Sequence, residues 1–573
     1  MNIRKNLFAL FMALLPGLGT SAQTSKGPAW LSDAVFYQIY PSSYMDTDGN
    51  GIGDLPGITA KLDYIKSLGV NAIWLNPIFV SGWFDGGYDV IDFYKVDPRF
   101  GTNDDLVTLV REAHQRGMKV ILDLVAGHSS SKSEWFRLSA TGGRNDRYAD
   151  YYIWSDSISE KDMQDIALRN QEPDPEVSKR GLWVEADAKR GRYYQKNYYI
   201  CQPALNYGYA HPDPTHPWEQ AMDAPGPMAV RRELKNIMAF WYDKGVDGFR
   251  VDMAASLVKG DPDKKGVMAL WHDMKEWQSK NYPQCILVSE WSNPVQSLNA
   301  GFNIDFEIHL ATKVYNTLFF ASDDPWGKKG KECYFDERGR GSLKYFMDTY
   351  GVAYRETADK GYITFPTANH DFQRLRTGRR NSLAAVKVAM TFCLTMPGVP
   401  FIYYGDEIGM RYQPGLKPKE GSRERSGTRT PMQWTKGRNA GFSTCPADSL
   451  YFPVNTEGGS ISVEAEDKDS HSMLNFVRSV LHLRKSSKAL GNDGSWTLVS
   501  DVNKPYPMVY KRSYGNEVYV VALNPAARKV SADISHIGKG KTLVVSGKAD
   551  YKAGKATDTV NLGATSAAIF RIK

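Results

Sequence analysis

Short apolar runs alternate with helix-like segments along most of this chain. We predict eight buried strands at residues 34–40, 71–77, 119–128, 246–252, 285–291, 302–308, 362–371 and 400–407. Between the second and third of these runs, an apolar helix face is formed by Leu106, Val107, Leu109, Val110 and Ala113. Eight strands alternating with helices predict an α/β fold, a (β/α)8 TIM barrel, whose active site lies at the carboxyl ends of the strands.

Two parts of the chain depart from this alternation. Residues 129–205 are rich in Tyr, Trp, Arg and Asp, and predict a domain inserted after the third strand. After about residue 490, short runs of alternating polarity predict an antiparallel β domain, expected to be a sandwich. The expected organisation is therefore a barrel at 31–128 and 206–488, an inserted domain at 129–205, and a C-terminal β domain at 489–573.

The first residues have the pattern of a signal peptide. Arg4 and Lys5 precede the apolar run Leu7–Leu15, and Ala22 ends a small-residue cleavage site. The apolar run is shorter than the roughly 20 residues that span a bilayer, and no later stretch is long and apolar enough to do so. We therefore expect a signal peptide at 1–22 and a protein that is exported, either periplasmic or secreted.

Composition and charge narrow the range of partners. The 573 residues are 42% hydrophobic and 24% charged, which is ordinary for a globular protein. The formal net charge of +7 is mild for this length, and basic residues are interspersed with acidic ones, so neither nucleic acid nor a membrane is expected as a partner. The five cysteines are scattered and have no metal-site spacing. Buried free thiols are favoured over one or two disulfides.

Charged residues stand where the predicted strands end. Asp252 ends the fourth strand, Glu290 the fifth and Asp371 the seventh, while Asp123 and His128 lie near the end of the third. A single carboxylate at such a position is most often a helix cap or a surface residue. Several at the same end of one barrel favour a common site instead.

Three carboxylates in one pocket suit glycoside hydrolysis. In a retaining mechanism one carboxylate attacks the anomeric carbon, and a second, about 5–5.5 Å away, protonates the leaving oxygen. The attacking group must stay ionised. Arg250 and Asp252 lie on the same side of the predicted strand, because side chains alternate along it. The guanidinium is therefore expected to hold the carboxylate charged and oriented.

The motifs that carry these residues resemble those of the α-amylase family of glycoside hydrolases. "DLVAGH", "GFRVD", "SEW" and "NHD" occur in the family's order and spacing, supported by "GVNAIWLNP", "QPALN" and "GVPFIYYGDEIGM". The resemblance covers nearly the whole mature chain. It implies that Asp252 is the nucleophile, Glu290 the acid/base and Asp371 a stabiliser of the transition state. It further implies that the reacting sugar is lined by Tyr88, His128, Arg250 and His370.

Three segments are similar to the oligosaccharide-acting branch, which includes oligo-1,6-glucosidases, α-glucosidases and trehalose synthases. They are "PSSYMDTDGNGIGDLPGI", "FDGGYDV" and "RTPMQW". In exo-acting members of that branch, the Asp of the second motif and the Arg of the third meet across the pocket and bind the non-reducing glucose. The corresponding residues here are Asp85 and Arg429.

The chain departs from the family pattern at three positions. Gly127 stands before the histidine of "DLVAGH", where the family usually has an Asn that binds calcium in many amylases. Ala204 replaces the usual Asp of "QPALN". Met253 follows the nucleophile, where α-1,6 enzymes commonly have Val and α-1,4 enzymes a small residue. These departures leave the linkage specificity open.

The segment "DTDGNGIGD" predicts a cation site. Oxygen-bearing side chains at this spacing resemble the start of an EF-hand loop and suit Ca²⁺, although Gly57 stands where that loop has its bidentate Glu. The alternative is a polar turn. The resemblance implies a structural Ca²⁺ or Mg²⁺ held by Asp46, Asp48, Asn50, Asp54 and the carbonyl of Ile52.

The leading hypothesis for function is a retaining, exo-acting α-glucosidase that acts on short oligosaccharides. An α-glucosyl transferase or isomerase, such as trehalose synthase, would use the same carboxylates. An endo-acting α-amylase is a further alternative. A non-catalytic sugar-binding relative is disfavoured, because such proteins typically lose the catalytic residues and all three are present here.

Overall fold

A computed structural model of the protein describes residues 23–24, 26–163, 182–321, 324–455, 457 and 460–573. The signal peptide predicted at 1–22 lies outside the described residues. No helix within these ranges is long and apolar enough to cross a membrane. The five cysteines are all free thiols, four of them buried and Cys285 half-buried.

The barrel consists of eight parallel strands. They are β1 (Phe36–Ile39), β2 (Ala72–Leu75), β3 (Lys119–Leu124), β4 (Gly248–Val251), β5 (Ile286–Ser289), β6 (Ile304–Phe306), β7 (Tyr362–Thr364) and β8 (Phe401–Tyr403). The hydrogen-bonded order is β7-β6-β5-β4-β3-β2-β1-β8. Hydrogen bonds cross the seam between β7 and β8: Thr364 Oγ1 donates to Val399 O, Thr367 N donates to Phe401 O, and Tyr403 N donates to Thr367 Oγ1. The predicted (β/α)8 barrel is confirmed.

Helices connect the strands. Those in the barrel are Leu55–Ala60, Leu62–Ser67, Asn103–Gln115, Pro225–Tyr242, Lys265–Asn281, Pro294–Asn299, Val314–Phe319, Lys344–Thr357, Leu383–Thr395, Val463–Lys468 and Met473–Lys485. The helix Asn103–Gln115 begins at a capping box made by Thr102 and Asp105. Of its predicted apolar face, Val107 alone is not buried.

Between β3 and β4 the chain leaves the barrel and forms a small antiparallel sheet. Its strands are Trp154–Ser155, Trp183–Ala188 and Gly191–Gln195, with the last in the centre. Two helices, Glu134–Thr141 and Glu160–Met163, belong to the same insertion. Aromatic rings of Phe136, Tyr152, Trp154 and Tyr194 pack against one another. These four rings are continuous with the core of the barrel, so the aromatic content of this segment attaches the insertion to the barrel.

The C-terminal part consists of two antiparallel sheets. Five strands (Ser495–Leu498, Met508–Tyr514, Glu517–Asn524, Ser566–Ile572, Gly540–Ser546) form one sheet, and three (Val530–Ser535, Thr557–Leu562, Ala549–Lys552) form the other. Val520 and Phe570 lie in the core between the sheets, whereas Val521 and Ile569, one position along, join the core of the barrel. The predicted C-terminal antiparallel β domain is confirmed.

Candidate active site

Arg250 lies among three carboxylates at the carboxyl ends of neighbouring strands. Its Nη1 is 2.7 Å from Asp123 Oδ1 and 2.9 Å from Asp252 Oδ1, and its Nη2 is 2.7 Å from Glu290 Oε1. Arg250 and Asp123 are register partners on β4 and β3, so the strand pairing itself brings them together. One buried guanidinium thus holds groups from β3, β4 and β5, as the alternation along β4 predicts.

Asp252 and Glu290 are linked through the backbone as well. Met253, directly after Asp252, has the left-handed backbone angle φ of +44°, and its N–H donates to Glu290 Oε2 at 2.9 Å. Burial and the nearby negative charge of Glu290 raise the pKa of Asp252 well above its usual range, while Arg250 acts in the opposite direction. In the free enzyme, burial and the second carboxylate therefore outweigh Arg250, in contrast to the expectation that this guanidinium keeps Asp252 charged.

Asp371 follows β7 and is surrounded by positive groups. Its carboxylate lies 3.0 Å from Arg425 Nη1, 3.3 Å from Arg429 Nη2 and 3.2 Å from His370 Nε2. Burial acts to raise the pKa of Asp371, but the N–H of His370 and the two guanidinium groups outweigh it and hold this pKa well below its usual range. Asp371 is therefore ionised at neutral pH.

The tautomer of His370 follows from its neighbours. The amides Gln38 Nε2 and Asn76 Nδ2 both point at its Nδ1, at 3.1 and 3.0 Å, so Nδ1 accepts. Its Nε2 therefore carries the proton, and it lies 2.6 Å from the hydroxyl of Tyr88. Burial lowers the pKa of His370, which keeps the imidazole neutral.

His128 is engaged by protein groups at both ring nitrogens. Its Nε2 donates to the carbonyl of Tyr88 at 2.8 Å, and its Nδ1 accepts from Asn197 Nδ2 at 2.9 Å. Burial lowers the pKa of His128 to about 4. The ring faces the pocket, as expected of a residue that lines the sugar site, but as a neutral group with both nitrogens in use.

The predicted pairing of Asp85 with Arg429 is corrected by the structure. Asp85 Oδ1 lies 3.0 Å from Arg425 Nη2, and Asp85 Oδ2 accepts from Gln202 Nε2 at 3.0 Å. Arg429 is buried, with Nε donating to the carbonyl of His370 at 2.8 Å and its guanidinium over the ring of Tyr40. The two arginines differ in where they lie. Arg425, in the turn Arg423–Thr428, lines the pocket, whereas Arg429 follows the turn and is buried behind the pocket wall.

Among the polar residues that were not predicted from the sequence, Arg425, Gln202 and Asn197 bind predicted site residues directly. Arg425 stands four residues before Arg429, the separation that brings side chains to one side of a helical turn, and this spacing could have pointed to it. Gln202 and Asn197 come from the insertion, whose loop shows no periodicity that would indicate where the side chains point.

These groups surround a pocket of about 400 Å³. It is lined by Asp85, Tyr88, His128, Tyr198, Tyr199, Gln202, Asp252, Met253, Glu290, His309, Leu310, Trp326, Asp371, Gly421, Ser422, Arg423, Glu424 and Arg425. Tyr198 and Leu310 are 42% and 39% exposed, whereas Asp252 and Glu290 are each 7% exposed. The pocket is thus charged in its interior, and its exposed rim combines Tyr198 and Leu310 with the charged Glu424. Arg250, His370 and Arg429 lie behind its wall and orient the residues that line it.

The predicted cation loop brings three carboxylates together. Oxygens of Asp46, Asp48 and Asp54 lie within 4.8 Å of one another. Burial, with the nearby Asp46 carboxylate adding to it, raises the pKa of Asp48. Among the described ion pairs, none supplies a basic side chain to these three groups. Asn50 Oδ1 accepts from the N–H of Ile52 in the same loop. The donor set is all oxygen and fits a hard cation such as Ca²⁺.

Comparison with known proteins agrees with this geometry. Residues 38–493 match the family model "Alpha amylase, catalytic domain". An oligo-1,6-glucosidase of Heyndrickxia coagulans is 30% identical, with 88% of this chain and 93% of that protein covered. Trehalose synthase/amylase TreS of Mycolicibacterium smegmatis is 32% identical over 80% of this chain and 77% of that protein.

A solved structure extends the likeness to three dimensions. The trehalulose synthase MutB from Pseudomonas mesoacidophila MX-45 superposes with a TM-score of 0.76 at 27% identity, covering 96% of this chain and all of that one. The family match spans most of the chain, and the relatives match from the barrel into the C-terminal domain. The chain is an enzyme, a glycoside hydrolase that belongs to the α-amylase family.

Proposed function

We propose that the protein is a retaining, exo-acting α-glucosidase that removes single α-linked glucosyl units from short oligosaccharides. One observation carries the exo-acting part of the proposal. The two Nη atoms of Arg425 bind Asp371 and Asp85, and Gln202 binds the other oxygen of Asp85. These charge-assisted contacts link four residues of the pocket lining, which supports a pocket that ends one sugar beyond the scissile bond.

The chemistry follows from the two carboxylates on Arg250. Asp252 attacks the anomeric carbon as the glycosidic C–O bond breaks, and Glu290 gives its proton to the leaving oxygen. Water then gives a proton to Glu290 and attacks the same carbon, which releases glucose with retained configuration and regenerates Asp252. Asp371 stays ionised beside the reacting sugar and stabilises the positive charge that develops on it.

The exo-acting assignment is tested with oligosaccharides blocked at the non-reducing end. Maltooligosaccharides of this kind are expected to be inert, and Asp85→Ala is expected to lose activity on disaccharides, because Arg425 would lose one of its two carboxylate partners. Cleavage of blocked substrates, or of internal bonds in starch, at the rate seen with maltotriose would instead identify an endo-acting amylase.

A second candidate is an α-glucosyl transferase or isomerase. It is favoured by the relatives named a trehalose synthase/amylase and a trehalulose synthase, which match over most of this chain. Both reactions form the same glycosyl-enzyme and differ in whether water or a sugar accepts the glucosyl group. Product analysis on maltose, isomaltose, sucrose and trehalose separates them: free glucose supports the hydrolase, and an isomeric disaccharide supports the transferase.

We further propose that Asp46, Asp48 and Asp54, with Asn50 and the Ile52 carbonyl in the same loop, hold a structural Ca²⁺ or Mg²⁺. The convergence of three carboxylates without a basic partner among the described residues supports this. None of these residues lines the active-site pocket. The ion would neutralise the cluster and fix the loop, without a part in the reaction.

A further inference from the structure

We propose that Asn197 is a positioning residue of the active site, which fills the space left by the missing side chain of Gly127 and fixes the imidazole of His128. The proposal rests on the proposed function only in so far as His128 lines the pocket in which the glucoside reacts. In this proposal Asn197, which belongs to the inserted segment, sets the orientation of His128, which follows β3 of the barrel.

Gly127 leaves the space that the Asn197 amide occupies, and its backbone conformation does not itself require a glycine. It is absent from the glycines with positive φ, so its backbone is open to other residues. A Cβ added to Gly127 would lie 2.7 Å from Asn197 Nδ2, closer than side chains approach one another. The two positions are therefore complementary: a side chain at 127 and the amide of Asn197 exclude each other.

The amide of Asn197 supplies the second of the two hydrogen bonds that hold the His128 ring. Because Nε2 of His128 is committed to the carbonyl of Tyr88, its Nδ1 must accept, and Asn197 Nδ2 supplies the donor at 2.9 Å. Two hydrogen bonds at opposite edges fix both the tautomer and the rotation of the imidazole. Without Asn197, the buried Nδ1 would lose its partner and the ring would be held at one edge only.

The position of Asn197 links this ring to the catalytic strand. Asn197 Nδ2 also lies 4.0 Å from Sδ of Met253, the residue that follows the nucleophile. The backbone N–H of Asn197 donates to the carbonyl of Gln202, which in turn binds Asp85. Asn197 is thus one point at which the inserted loop contacts the segments that follow β3 and β4.

The test is a double-mutant cycle on Asn197→Ala and Gly127→Ala. Each single variant is expected to lower kcat/KM on the order of tenfold to a hundredfold, since either change displaces the donor from His128. The double variant is expected to be no worse than Asn197→Ala alone, because the added methyl enters the space that the amide has vacated. Additive losses, or a wild-type kcat/KM in Asn197→Ala, would overturn the proposal.

A control variant separates positioning from folding. Asn197 is half-buried, whereas Asn492 is buried and its amide donates to the carbonyls of Leu31 and Ala34, away from the pocket. Asn492→Ala is expected to lower Tm and leave kcat/KM unchanged. Asn197→Ala is expected to lower kcat/KM by more than any loss of folded protein explains. If the two variants behave alike at a temperature well below Tm, Asn197 is structural only.

A second readout does not depend on turnover. In protein labelled with ¹⁵N-histidine, the His128 signal is assigned by its loss in His128→Gln. The wild type is expected to show the neutral tautomer with the proton on Nε2, where the Tyr88 carbonyl holds it. In Asn197→Ala and Gly127→Ala the ¹⁵N resonance of Nδ1 is expected to shift, because that nitrogen loses its hydrogen-bond donor. An unchanged His128 spectrum in both variants contradicts the positioning role of Asn197, whatever the substrate is. A protein that is inactive on every α-glucoside contradicts the proposed α-glucosidase function alone.

Discussion

Arg250 and Arg425 are each placed between carboxylates, and together they determine the charge of the pocket. Arg250 binds Asp252 and Glu290 from behind, where it is 1% exposed, and Arg425 binds Asp371 from within the pocket. Removing either guanidinium leaves negative groups close together without compensation. The two differ in what they orient: Arg250 orients Asp252 and Glu290, and Arg425 orients Asp371 and Asp85.

Replacement of Arg425 tests the closed end. Arg425→Ala is expected to lower kcat/KM on disaccharides about a hundredfold or more, because Asp371 and Asp85 lose their common partner and the sugar loses its fixed position. Arg425→Lys is expected to be nearly as poor, since one ammonium cannot bind two carboxylates as a planar fork does. Steady-state kinetics on maltose and isomaltose provide the measurement, and wild-type values for Arg425→Ala would refute this role.

Asp252→Asn separates activity from stability. Its kcat is expected to fall by several orders of magnitude, because no other group can form the glycosyl-enzyme. Its Tm is expected to stay the same or rise, since burial and Glu290 raise the pKa of Asp252 and the charged form is therefore unfavourable in the free enzyme. Kinetics and thermal unfolding of the same preparation test both parts. Near-wild-type turnover of Asp252→Asn on a natural disaccharide would show that Asp252 is not the nucleophile.

The loop that carries Asp46 to Asp54 joins two distant parts of the chain. Asp54 caps the helix Leu55–Ala60 by accepting from the N–H of Gly57, while Asp46 accepts from Ser443 Oγ at 2.6 Å. The backbone of Tyr451 also donates to the carbonyl of Gly51. A cation in this loop would therefore stabilise the contact between the first helix and the segment around residues 443–451.

Removal of the cation is expected to lower stability more than activity. In excess chelator the Tm is expected to fall while kcat at low temperature changes little, because a ligand that binds only the folded state stabilises it by mass action. Asp46→Ala is expected to have a lower Tm that no longer responds to chelator. Differential scanning calorimetry with and without added Ca²⁺ measures both Tm values. If the wild-type Tm does not change in chelator, and removal of the metal has been verified, the loop is a polar turn without a structural cation.

Buried carboxylates outside the pocket make the stability of the whole protein depend on pH. Burial raises the pKa of Asp89 to about 7 and those of Asp305 and Glu307 to about 8. In the unfolded chain these groups titrate near pH 4. Between about pH 4 and 8 the folded state thus binds more protons than the unfolded state, so the contribution of these groups to stability is full below pH 4 and is lost as the pH rises to 8.

Glu307→Gln is expected to flatten this dependence. The side chain is fully buried, accepts from Thr312 Oγ1 and has one oxygen without a partner, so a neutral amide of the same shape replaces the protonated acid. The variant is expected to match the wild type in Tm near pH 4 and to exceed it near pH 9. Equal Tm values for the two proteins at every pH would contradict the raised pKa.

The architecture and the convergence of three carboxylates in one pocket were predictable, because strand periodicity and strand ends are local properties of the sequence. Asp252, Glu290 and Asp371 needed only to end three strands of one barrel to converge. The partner of Asp85 was not predictable in this way, since it depends on the path of an irregular turn that presents Arg425 in place of Arg429. The fit of Asn197 to Gly127 was likewise hidden, because it joins an aperiodic loop to a strand end.

The most direct test of the account is the anomeric form of the products, followed by ¹H NMR in the first minutes of hydrolysis of maltotriose or isomaltotriose, whichever the enzyme cleaves. A retaining enzyme that takes one glucosyl unit from the non-reducing end releases glucose in the α form, while the disaccharide keeps its equilibrium mixture of anomers. Glucose released first in the β form would contradict the roles of Asp252 and Glu290. An excess of α-disaccharide, with glucose at equilibrium, would show that the pocket accepts two sugars and is not closed by Arg425.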